Sequence, residues 1–242
     1  MGQGDRSLPI EYELEAALCA LIRCLRRAPR RLAPPQYPRL LLVWRVACLV
    51  PYSVTLALDC YTTWGASLAD FTAWNITLQV VYFVLAIKSS VRPRGDDVRL
   101  DLLFDVCLTS ALSMAFDFWT LLATPDVLSE PLYKVQHGIT VICFGLEFAL
   151  NDRVVTPRHV ALVALWPLLY GIFTWASHNV ILDGAWPYDF MVVDQPTAPF
   201  WYLGIFLLQV AFFTLCLLVS RFKQYALETR RDDARFTSYG SV

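Results

Sequence analysis

The chain has 242 residues, 57% of them hydrophobic and 17% charged, with a mean hydropathy of +0.47, which places it well outside the range of water-soluble globular domains. Its 20 basic and 21 acidic residues nearly cancel, so charge gives no footing for nucleic acid. Seven cysteines without the spacing of a metal site or a disulfide framework, and only three histidines, argue against a zinc module, a disulfide-stapled secreted domain and a transmembrane di-haem protein, and no cofactor is expected.

Residues 1–38 form a basic segment in which "LEAALCALIRCLRR" reads as an amphipathic helix lying on the inner membrane surface; arginines follow its short apolar patch and no small-residue cleavage site appears. Six apolar runs follow, at 39–58, 71–89, 102–123, 134–151, 159–178 and 198–221, each near the roughly 20 residues a helix needs to cross a hydrocarbon core. The expected fold is therefore all-α, a polytopic bundle of six transmembrane helices spanning 39–221, with a disordered cytoplasmic tail at 222–242. Of the 20 Lys and Arg residues, 18 fall on one side of this arrangement, Arg45 lies inside the first span and Lys134 lies on the other side. Cytoplasmic loops carry the excess of basic residues, so both termini are expected in the cytoplasm, at the plasma membrane or an endomembrane. No lysine sits mid-span for a retinal Schiff base, and no phosphate-binding loop, zinc-protease motif or nucleophile elbow is present.

The second span begins "DFTAWNITLQVVYF". At 100° per residue, Thr72, Asn75 and Gln79 stand within about 60° of one another, and a polar stripe in hydrocarbon faces other helices or a cavity. The sequon at Asn75 falls inside this span, so no glycan is expected there. The third span brings Asp117 in "MAFDFW" to the outer end. In the fourth, "VQHGITVICFGLEFALN", His137, Thr140, Glu147 and Asn151 lie within about 80° on one face. The second and fourth spans run in the same direction, which puts Thr72 and His137 at similar depth near the outer surface. The connection between the fifth and sixth spans adds His178 and "DGAWPYDF" at that level.

A threonine hydroxyl becomes a nucleophile only beside a base, and imidazole is the usual one. The same two side chains also serve as hydrogen-bond partners between membrane helices, and the residues alone leave both readings open. Glu147, an ionisable group inside a span, is either functional or paired with Arg153 or Arg45. Arg45 is expected to snorkel to the cytoplasmic surface or to pair with Asp101 or Asp105.

Two spacings carry a family resemblance: Thr72 followed seven residues later by Gln79 in "FTAWNITLQ", and His137 followed ten residues later by Glu147 in "HGITVICFGLE". These segments resemble the family of the androgen-induced protein and the androgen-dependent TFPI-regulating protein, six-span membrane threonine hydrolases that cleave fatty acid esters of hydroxy fatty acids. The "WPYDF" element is similar to that family's Tyr-Pro-Phe, and the resemblance runs over roughly residues 40 to 222. It departs at Lys134, where the family carries a second histidine. The segment from His137 to Gly171 is similar to the rolling stone proteins, multi-span proteins associated with myoblast fusion.

The resemblance implies Thr72 as nucleophile and His137 as base toward a membrane lipid ester. Asn75 and Thr140 are candidate oxyanion donors, Asp117 a candidate orienting acid, and Gln79 and Glu147 further supporting candidates. No metal is expected. The alternative is a non-enzymatic, rolling-stone-like protein acting in fusion or partner binding through its aromatic outer loop.

Overall fold

The computed structural model describes residues 37–92 and 97–239, with side chains as far as residue 229. The amphipathic helix expected near the N-terminus lies outside the described residues. Seven α-helices make up the described chain: α1 (Pro38–Thr62), α2 (Phe71–Val91), α3 (Val98–Asp117), the short α4 (Pro125–Ser129), α5 (Pro131–Leu150), α6 (Val160–Ser177) and α7 (Ala198–Tyr239).

Among the described residues, five helical stretches are long and apolar enough to cross a membrane: Pro38–Thr62, Phe71–Val91, Val98–Leu122, Pro157–Ser177 and Ala198–Thr229. They mark the chain as an integral membrane protein. The fourth expected span is also a continuous helix, α5, but Lys134, Gln136, His137 and Glu147 dilute its apolar run below that of the others.

The outward surface is what a hydrocarbon solvent selects. On α1, Val43, Val50 and Val54 are exposed, while Arg45, Thr55 and Asp59 are buried with Leu41, Cys48 and Tyr52 on the inner face. Polar groups inside and valines outside reverse the pattern of a water-soluble bundle. Helix α3 is the central element, with 67% of its apolar stretch buried against 22% to 39% for the other four. It packs on α2, α5, α6 and α7, while α1 closes the bundle against α2 and α5. The core between α1, α2, α3 and α5 is an aromatic cluster of Tyr52, Tyr82, Phe83, Phe104 and Phe144, with ring centroids 5.2 Å apart for Phe83 and Phe144 and 5.3 Å for Tyr82 and Phe144.

Two local features differ from the sequence reading. Helix α3 ends in a π-helical turn, Phe118–Leu122, which widens the helix at its C-terminal end. The last helix runs to Tyr239, where a disordered tail is expected from residue 222. Its continuation is held down: the Lys223 ammonium donates to the carbonyls of Phe148 and Asn151 and sits 4.5 Å over the Phe148 ring, and Gln224 donates to Glu228 one turn on at 3.2 Å.

Candidate functional site

At the end of the bundle where α2 and α5 begin and α3 finishes, the helices part around a cavity of about 340 Å³. Its wall includes Thr72 from α2, Met114 and Asp117 from α3, His137 from α5, Tyr170 and Gly171 from α6, and Tyr188 from the connection to α7. The rest is mainly apolar, with Leu122, Leu168, Leu203 and Phe206 among the lining. Three residues singled out on separate spans in the sequence, Thr72, Asp117 and His137, thus share one chamber.

His137 is held by α3. Its ring lies flat on Phe118, with centroids 3.9 Å apart and 5° between planes. The π-helical turn supplies that platform and disturbs the backbone ladder, since the Phe118 N–H is divided between the Ala115 and Met114 carbonyls. The Met114 carbonyl lies close to the His137 ring. Nδ1 of His137, buried, finds no hydrogen-bond partner among the described residues. In the tautomer that carries its proton on Nε2, the Nδ1 lone pair is the ring's basic atom. The group beside the ring that can orient it is a backbone carbonyl. Asp117, the acid proposed for that role, lines the cavity with one buried carboxyl oxygen, Oδ1, unpartnered.

Thr72 is the second residue of α2, and its neighbours at the helix start come from far along the chain. The Phe71 N–H donates to the Tyr188 phenol at 3.1 Å, and Thr72 lies close to the same oxygen. Burial, with the Asp70 carboxylate nearby, pushes the Tyr188 phenol above its ordinary value, so the group present is the neutral phenol. Tyr188 stacks on Phe190, with centroids 5.1 Å apart and planes within 4°, and its neighbour Tyr170 donates to the Ala69 carbonyl at 2.9 Å. Among the described residues no hydrogen bond joins Thr72 to His137; the two face a shared space rather than each other.

The remaining candidates are occupied elsewhere. Asn75 donates to the Phe71 carbonyl at 2.8 Å and accepts from the Trp166 indole at 2.9 Å. Thr140 turns back onto the His137 carbonyl at 3.3 Å, and neither Asn75 nor Thr140 lines the cavity. Gln79 is fully buried with both amide atoms unpartnered among the described residues, also away from the cavity. Glu147 accepts from Arg45 Nε at 2.9 Å and Nη2 at 2.7 Å and from the Tyr82 phenol at 2.8 Å. Arg45 completes this network by donating to the Ala86 carbonyl at 3.1 Å and the Ser90 hydroxyl at 2.6 Å. Asp101 pairs with Arg153, and Asp105 with His159 at 2.7 Å, so neither acid is Arg45's partner.

Sequence reasoning placed "WPYDF" near the site without assigning Tyr188 a contact; the signal available was a tyrosine at the same membrane level as Thr72. The π-helical turn left no readable signal at all. Set against protein-family models, curated proteins and solved structures, the chain matches none.

Proposed function

We propose that the chain is a six-span membrane hydrolase of lipid esters, with both termini cytoplasmic, the basic N-terminal segment on the inner surface and its site toward the outer leaflet of the plasma membrane or an endomembrane. The observation that carries this reading is the meeting of Thr72 and His137 in one largely apolar cavity, with Nδ1 of the imidazole unengaged. The resemblance of their two segments to the threonine hydrolases points the same way. The 18 basic residues on one side support the topology.

In the reaction, Thr72 Oγ attacks the ester carbonyl carbon while its proton passes to His137 Nδ1, and the carbonyl electron pair moves onto oxygen. Collapse of the tetrahedral species breaks the bond to the alcohol oxygen, which takes the proton back from His137 and leaves an acyl-threonine. Water then attacks, giving its proton to His137; collapse returns that proton to Thr72 and releases the fatty acid. The apolar walls receive the alkyl chain. Attack requires Thr72 to exchange its contact with Tyr188 for one with the substrate and His137, a tightening common on substrate binding.

The test is turnover of long-chain acyl esters, including fatty acid esters of hydroxy fatty acids, by purified protein in detergent. Wild type should release fatty acid, and Thr72→Ala and His137→Gln should each lose about 10²-fold or more. Full activity in both variants would exclude the assignment. A second reading, a rolling-stone-like membrane protein that engages partners, is favoured by the exposed Trp64, Val180, Ile181 and Phe200 at the same end. Exchange of those residues that abolishes function while Thr72→Ala preserves it would select that reading.

A further inference from the structure

The start of α2 has an unusual cap. The first N–H groups of a helix lack partners within it and are ordinarily met by an oxygen of the preceding side chain. Here the preceding residue is Asp70, with extended backbone (φ −86°, ψ 143°), and its carboxyl makes no capping bond. The acceptor is instead the phenol of Tyr188, 117 residues further along, at 3.1 Å from the Phe71 nitrogen. An oxygen atom therefore already sits on the first N–H of the nucleophile's own helix, beside the cavity lined by Phe71, Thr72 and Tyr188.

We infer that the backbone N–H groups of Phe71 and Thr72 are the oxygen-anion subsite of this cavity, and that Tyr188 is a latch whose phenol fills the subsite until a ligand displaces it. The ligand is the carboxylate of a long-chain fatty acid, and during ester cleavage the same N–H groups receive the tetrahedral oxyanion, an assignment that rests on the hydrolase reading. Three observations support it beyond the helix end itself. His137, only 4% exposed, lines the same cavity, and its buried Nδ1 finds no partner among the described residues, so a second polar group beside the helix end is left unsatisfied. The remaining wall, with Leu122, Leu168, Leu203 and Phe206, suits an alkyl chain. The side-chain donors named from sequence, Asn75 and Thr140, are committed to other groups, which leaves the backbone to stabilise the anion. Helix N–H groups together with the helix dipole attract an anion at this end, against the opposing charge of the nearby Asp70 carboxylate, and a preorganised N–H pair is the usual form of an oxyanion hole.

The decisive comparison is Phe71→Pro against Phe71→Ala in the full-length protein. Both remove the ring, but only proline removes the N–H. Phe71 is the first residue of α2, where proline is well accommodated, and the extended Asp70 already has the backbone that a following proline requires.

Binding of radiolabelled palmitate to purified protein in detergent should be saturable in wild type. It should be weaker by about tenfold or more in Phe71→Pro than in Phe71→Ala. Ester turnover should show the same order, with a loss in kcat of about 10²-fold. Equal palmitate affinity in the two variants, or no saturable binding by wild type, would overturn the inference. Should the proline variant fail to fold, Tyr188→Phe decides: freed of the competing phenol, it should bind palmitate several-fold tighter than wild type, and unchanged or weaker binding refutes the latch. The palmitate readout is independent of turnover. A wild type that binds palmitate through Phe71 N–H but cleaves no ester defeats the hydrolase reading alone, while one that cleaves esters with equal affinities in the two variants defeats the subsite alone.

Discussion

Replacing Glu147 with leucine should destabilise the protein severely while sparing its chemistry. The carboxylate is fully buried and accepts bonds of 2.9 and 2.7 Å from Arg45 and 2.8 Å from Tyr82. Removing it strands the Arg45 guanidinium, itself 5% exposed, with only the Ala86 carbonyl and the Ser90 hydroxyl for hydrogen-bond partners among the described residues. Breaking one side of a buried ion pair costs about 3–5 kcal/mol. At about 2–4 °C per kcal/mol for a chain of this size, the expected fall in Tm is about 6–20 °C. Thermal unfolding in detergent, followed by tryptophan fluorescence, measures it.

The double variant Arg45→Met with Glu147→Leu should recover most of the loss, because no charge is then left unpaired. Turnover per folded molecule should stay near wild type in both, since Glu147 lies ten residues, about 15 Å, along α5 from His137. A single-variant loss below about 1 kcal/mol, or a double variant no better than the single, would refute the reasoning, because the ion pair would then carry no coupling.

Asp70, outside the spans, has its carboxyl pushed up from 3.8 to about 6 by burial and by Asp59. The folded state holds this proton more tightly than the unfolded state, so the stability it contributes is complete below about pH 3.8 and is lost as the pH rises through about 6. Asp70→Asn should remove that slope from a pH series of Tm values and be the more stable protein at pH 7.5. Asp117→Asn should change ester turnover by less than about tenfold, against about 10²-fold or more for His137→Gln, because the Met114 carbonyl lies beside the imidazole and no hydrogen bond joins Asp117 to it among the described residues. Parallel kinetics of the two variants check this, and comparable losses would return Asp117 to the role of orienting acid. Asn75, 1% exposed and bonded to Phe71 and Trp166, should carry no glycan, so endoglycosidase treatment of protein from a secretory-pathway host should leave its mobility unchanged.

The spans were legible because hydrocarbon demands long apolar runs, and the shared level of Thr72, Asp117 and His137 followed from counting residues along helices expected to alternate in direction. Angular position alone does not separate residues by depth. Glu147 shares a helical face with His137, and Gln79 with Thr72, yet ten and seven residues of rise, about 15 and 10 Å, separate each pair along the axis. One stripe on α5 therefore serves two purposes: the cavity at one end and the ion pair with Arg45 nearer the other. Nothing in residue order announces that Tyr188 would cap α2, because that bond depends on how the connection before α7 folds over the helix end. The π-helical turn at Phe118–Leu122 is equally silent in sequence. The choice of Arg45 for Glu147 over Arg153 was open because the charge pattern leads to both arginines being expected at the same end of the bundle, and only side-chain geometry separates them.

If Thr72 is a nucleophile activated by His137, a long-chain alkyl fluorophosphonate should label the purified, folded protein covalently, and peptide mass spectrometry locates the adduct. A single adduct on Thr72 is expected, absent in Thr72→Ala and strongly slowed in His137→Gln. A well-folded wild type that takes no label, or takes it at a residue outside the cavity, would contradict it.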